Sequence, residues 1–104
     1  MLTRREDLDK QKKAIMVKDL VTKNPVFTTQ NVDDFFELFA LYADSRTKRA
    51  DIRDIVGTAK SLGMDTKYKM IFDAMITMSN NIGDDEINFE TFLTNLTEIM
   101  VHRW

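Results

Sequence analysis

Apolar residues recur at three- and four-residue steps along most of the chain, and this spacing predicts a series of helices. In residues 2–22, Leu8, Ile15, Met16, Leu20 and Val21 sit among charges of both signs with no Gly or Pro between them, which predicts a helix over residues 4–22 with a thin apolar stripe. Asn24-Pro25 ends it, because the residue before a proline is pushed out of the α region and Asn suits a C-terminal cap. Thr28 or Thr29 caps a second helix, with Asp33 and Asp34 near its positive end. Val32, Phe35, Phe36, Phe39, Leu41 and Tyr42 make it the most apolar segment. Ile52, Ile55, Ala59 and Leu62 mark a third helix. Asp65 or Thr66 caps a fourth, with Ile71, Met75 and Met78 on one face. A last helix starts near Phe89, carries Phe92, Leu93, Leu96, Ile99 and Met100, and runs toward His102, Arg103 and Trp104.

Between the second and third helices lies Ala43 to Asp54, the length of a calcium-binding EF-hand loop. Such a loop needs oxygen ligands at positions 1, 3, 5, 7, 9 and 12, a glycine at 6 for the sharp turn, and a bidentate Glu at 12. Here position 1 is Ala43, position 6 is Lys48 and position 12 is Asp54, while Arg46 and Arg49 add charge that repels a cation.

Residues 37–63 nevertheless resemble the first hand of the calmodulin, troponin C and centrin superfamily. Phe27 to Phe35 is similar to the capped start of that family's first helix, and Ile87-Asn88-Phe89-Glu90-Thr91-Phe92-Leu93 to the end of its second loop and the start of its last helix. From Met78 to Ile87 there is one residue more than the family's loop holds. Ser79 to Glu86 therefore resembles a stretched second loop, with Thr91 where the bidentate Glu is expected. Asp84, Asp85 and Glu86 read as a solvated turn rather than a metal site. The extra residue and the run Phe92 to Met100 also resemble the N-terminal half of the calmodulin-like subunit of the axonemal nexin–dynein regulatory complex.

The resemblance implies an all-α fold: a four-helix EF-hand pair over residues 27–104, its two degenerate loops joined by a short β-bridge through Ala50 and Ile87, with an N-terminal helix and linker over residues 1–26. It implies a calcium-independent, light-chain-like module that clasps an amphipathic or coiled-coil helix of a larger cytoskeletal or motor protein, in the cytoplasm and cytoskeleton, with the axoneme of a cilium or flagellum as one address. The family's partner-contacting positions fall on Tyr42, Ile55, Ala59, Met75, Met78, Phe92 and Leu96. Phe36, at the edge of its helical stripe, is a further groove candidate.

Composition narrows the alternatives. The 104 residues hold one folding unit, 31% charged, with three Gly and one Pro, which suits helices and argues against a turn-rich β fold. No cysteine is present, and the one histidine stands near the chain's end, so no metal site, cofactor or catalytic constellation is expected and the chain reads as a non-enzyme. The net charge of −2 and the mixing of Lys10, Lys12 and Lys13 with Glu6, Asp7 and Asp9 speak against nucleic acid, though those lysines with Arg46, Lys48 and Arg49 would be the contacts of a nucleic-acid-binding domain. A weak calcium sensor acting through the second loop is the other alternative. No apolar run is long enough to span a membrane.

Overall fold

The computed structural model describes the backbone of residues 4–102 and the side chains of residues 11–102, so the expectations placed on Leu8, Lys10, Arg103 and Trp104 lie outside the described side chains. Helix α1 spans Arg4–Lys23, α2 Thr29–Ala40, α3 Ile52–Ser61, α4 Met64–Lys67, α5 Lys69–Ile82 and α6 Phe89–His102; strands β1 (Arg49–Asp51) and β2 (Glu86–Asn88) stand before α3 and α6. The fold is all-α with one two-stranded antiparallel bridge, in which Ala50 faces Ile87, the pair expected from the sequence.

Local chemistry explains the helix ends. Asn24 closes α1: its backbone N–H donates to the Leu20 carbonyl at 2.8 Å and its side-chain amide donates to the same oxygen at 3.0 Å. Thr28 caps α2 in a reciprocal box, its hydroxyl accepting from the Asn31 amide while the Asn31 side chain accepts from the Thr28 amide. Asp51 caps α3 by accepting from the Arg53 amide, and Gly63 beyond its end takes φ 78°, where a Cβ would be strained.

Two elements differ from expectation. The fourth helix is broken rather than continuous and is not capped by Asp65 or Thr66; α4 stops at Tyr68, whose φ of −127° and ψ of 56° interrupt the helix before α5 begins. The ring of Tyr68 sits 5.5 Å from that of Phe35 and its hydroxyl donates to Asp34, a pair of contacts made with the backbone in that turn. The second loop is also much shorter than the stretch from Ser79 to Glu86. Ser79, Asn80, Asn81 and Ile82 continue α5, and only Gly83, Asp84 and Asp85 link it to β2. Ile82 packs against the core, which favours the added turn of helix, and Gly83 reverses the chain at φ 63°.

The core is aromatic at its centre. Phe39 lies 5.5 Å from Phe92 and 5.4 Å from Phe89, and Phe89 stacks on Phe92 at 5.8 Å, which joins α2 to α6. Val17 and Leu20 of α1 belong to the same buried cluster. Thr97 of α6 donates its hydroxyl to the side-chain oxygen of Asn24 at 2.9 Å, so the buried cap of the first helix is fastened to the last.

Candidate functional site

The first loop keeps the path of a calcium hand without its ligands. Lys48, at the position where a glycine would make the sharp turn, adopts the left-handed conformation at φ 62°, alone among the non-glycine residues described. Position 8, Ala50, forms the bridge to Ile87. What folds the loop is Asp44. Its carboxylate accepts the amides of Arg46 at 2.7 Å and Thr47 at 2.9 Å, while its backbone N–H donates to the Arg49 carbonyl at 2.9 Å and its own carbonyl accepts from Lys48 at 2.8 Å. These amide bonds, Thr47 foremost, hold the Asp44 carboxyl below the usual carboxylate range. Sequence reasoning did not single out Asp44; the signal that could have found it is an Asp in a loop, whose side chain accepts backbone amides a few residues on.

These residues do not form a calcium ligand set. Ala43 offers no side-chain oxygen, the Asp44 carboxylate serves the loop's own amides, and Arg46, Lys48 and Arg49 are exposed cations on the same short segment. Among the described residues no cluster of three or more His, Asp or Glu side chains is arranged to hold a metal ion.

The residues assigned to a partner groove fall into three places. Ile55, Ala59, Met75, Met78, Phe92 and Leu96 are brought together, each no more than 1% exposed, in the interior between the helices. Met78, expected to contact a partner, is thus enclosed. Tyr42 lies at the surface, 41% exposed, and its hydroxyl shares a hydrogen bond with Thr58 of α3. Phe36 stands apart from both: its ring meets the edge of Phe89 at 5.3 Å and the ammonium of Lys13 lies 5.6 Å above it. Lys13 in turn pairs with Asp33 at 2.9 Å and with Glu37, which lays α1 along α2. The hydrogen bonds of Glu37 and then Asp33 raise the Lys13 ammonium above its usual range.

The arrangement is therefore a closed pair of helix–loop–helix units. Tyr42 with Thr58 ties the turn after α2 to α3, and Tyr68 with Asp34 ties α2 to the start of α5. Sequence reasoning did not find either tyrosine contact, because both depend on the angle between helices.

A bridged pair of hands, with the left-handed residue and the bridge residue of the first loop both in place, defines an EF-hand-type domain. Caltractin ICL1e of Paramecium tetraurelia is 34% identical to this chain over 79 residues, which are 76% of this chain and 44% of the relative. That likeness supports the EF-hand calmodulin and centrin superfamily as the chain's setting, and the chain spans less than half the length of this curated relative. No family model and no solved structure matches the chain. Among the described residues no helix is long and apolar enough to cross a membrane.

Proposed function

We propose that this chain is a calcium-independent, light-chain-like binding module that clasps a helix of a larger protein. The observation that carries the reading is the first loop: it is closed by Asp44 and bent at Lys48 with no ion ligands, yet it keeps the bridge that pairs two hands. A domain built this way has no need of metal to set its loops. The second loop supports the same reading, since α5 runs through Ile82 and leaves three residues before β2, where the first hand has eight between α2 and β1.

The partner surface is the interior face made by Ile55, Ala59, Met75, Met78, Phe92 and Leu96, with Tyr42 at its edge. An amphipathic helix presenting anchors at i, i+3, i+4 and i+7 reaches that face once the tyrosine contacts part. The likeness to a caltractin favours a cytoskeletal partner, and axonemal or motor proteins are the candidates, the nexin–dynein regulatory complex among them. On this reading residues 27–104 form the clasp and residues 1–26 brace it from outside.

Calorimetry with calcium and with an amphipathic helical peptide bearing Leu and Trp anchors tests the proposal. Calcium is expected to bind more weakly than roughly 10⁻⁴ M, outside the sensor range, while the peptide binds equally with calcium or with chelator. Calcium affinity near a micromolar, or peptide binding that requires the ion, would overturn it.

A further inference from the structure

A second surface has a lining that includes none of the interior-face residues. Between α1, the end of α2, the first loop and the start of α6 is a cavity of about 520 Å³, within the roughly 300–1,000 Å³ of ligand clefts. Phe39 and Phe89 form its floor, and the partly exposed Met16, Phe36 and Ala43 form its walls, with Ala40 at the rim. Its mouth is bordered by Lys48, whose neighbours Arg46 and Arg49 are likewise exposed.

The charge on the loop segment from Asp44 to Arg49 is lopsided, with three cations to one carboxylate. Among the described residues none of Arg46, Lys48 and Arg49 forms a salt bridge, whereas Lys13, Lys23, Arg53 and Lys69 all do. Asp44 lies at the same mouth, but its carboxylate is turned to the amides of Arg46 and Thr47. Lys48 thus stands at the mouth of an apolar cleft with Arg46 and Arg49 exposed on the same short segment, and an acidic segment carrying apolar anchors complements both features.

We propose that this cleft docks an acidic peptide segment of a partner protein, with one or two large apolar side chains seated on Phe39 and Phe89 and flanking carboxylates on Arg46, Lys48 and Arg49. The degenerate loop then has a role that a calcium loop cannot have: the cations that exclude a metal ion attract a carboxylate-rich chain. This surface shares no lining residue with the interior face, although Phe39 and Phe89 pack on Phe92, so the module would hold a partner by two chemically different contacts.

Three acetylated sixteen-residue peptides and one vesicle test the idea on the full chain. The first peptide carries Leu and Phe flanked by Asp and Glu, the second has Lys and Arg as flanks, and the third keeps the acidic flanks with Ser in place of Leu and Phe. Binding is followed by fluorescence and by methyl NMR of the methionines. Only the first peptide is expected to bind. It should shift the Met16 methyl while leaving Met75 and Met78 unmoved, and weaken at least tenfold from 50 to 500 mM salt. The triple variant R46E/K48E/R49E, its helix content checked by circular dichroism, should weaken it at least tenfold. Ala40→Glu, a change at an exposed helix end, should do the same by placing like charge at the cleft. Equal binding of the basic or the Ser-substituted peptide, a shift at Met75 or Met78 instead of Met16, unchanged affinity in both variants, binding only to phosphatidylserine vesicles, or no binding at all would overturn the proposal. The Met75 and Met78 signals distinguish its failure from failure of the clasp, which involves the interior face alone.

Discussion

The hydroxyl of Tyr68 donates to the carboxylate of Asp34 across the gap between the α4–α5 junction and α2, while its ring packs 5.5 Å from Phe35. One side chain thereby breaks a helix, fills part of the core and holds two helices together. The hydrogen bond to Asp34, more than burial, raises the Tyr68 hydroxyl above its usual value near 10.

That shift fixes a pH dependence. A group with a raised folded-state value contributes stability that is fully present below the unfolded value and is lost as pH rises through the folded one. Stability should therefore fall above about pH 10. Tyr68→Phe should cost about 0.5–1 kcal/mol at neutral pH, since the bond is only part-buried, and its alkaline decline should be shallower. Urea midpoints at pH 7, 9 and 10.5 measure both effects; parallel declines in the two proteins would show that the Asp34 contact is not their cause.

Lys48→Gly should stabilise the domain. The left-handed backbone at φ 62° strains a residue with a Cβ by roughly 1–2 kcal/mol, and glycine gives back about 0.4–1 kcal/mol through the unfolded chain. A net gain of up to about 1 kcal/mol is expected, read as a higher denaturation midpoint with an unchanged slope. A lower midpoint would mean that the lysine side chain stabilises the loop by more than its backbone strain costs.

Asn24→Ala should be costly for a single polar residue. It is 4% exposed, it caps α1, and it accepts the hydroxyl of Thr97. Losing it is expected to cost about 1–3 kcal/mol. Thr97→Val removes the same contact from the other side, so a double-mutant cycle should show coupling of about 1 kcal/mol; additive losses would sink this reading.

Phe92→Ala truncates the side chain shared by Phe35, Phe39 and Phe89 and should cost about 3–5 kcal/mol, enough to leave a domain of this size marginal or unfolded. Met78→Gln places an amide in an interior site that is 1% exposed, and about 1–3 kcal/mol of destabilisation is expected alongside any loss of partner. Thermal unfolding separates the two: the glutamine variant should still melt cooperatively, and the alanine variant at or near room temperature.

Much of this fold was legible because it rests on local signals. The Thr28 cap, the Asn24-Pro25 stop, the Ala50 and Ile87 bridge and the start of α6 all follow from spacing, turn chemistry and the family likeness. The misreadings arose where tertiary contacts outweighed local preference. Ser79, Asn80 and Asn81 are poor helix formers, yet they are helical because Ile82 reaches the core. Tyr68 breaks a helix that its neighbours would continue. The burial of Ile55, Ala59, Met75, Met78, Phe92 and Leu96 was not legible, since no periodicity states whether a pair of hands stands open. Phe36 lies under the ammonium of Lys13 from a different helix, a position that a helical wheel does not show.

The cap on the first helix has a consequence for how the chain matures. Asn24 is completed by Thr97, which lies 73 residues further on. At the roughly 5–20 residues per second of protein synthesis, a ribosome takes about 4–15 s to cover that distance. Through that interval the buried side-chain oxygen of Asn24 has no Thr97 hydroxyl to accept from. The N-terminal helix waits longest for its final contact, and a chaperone that shields apolar nascent segments would find it there.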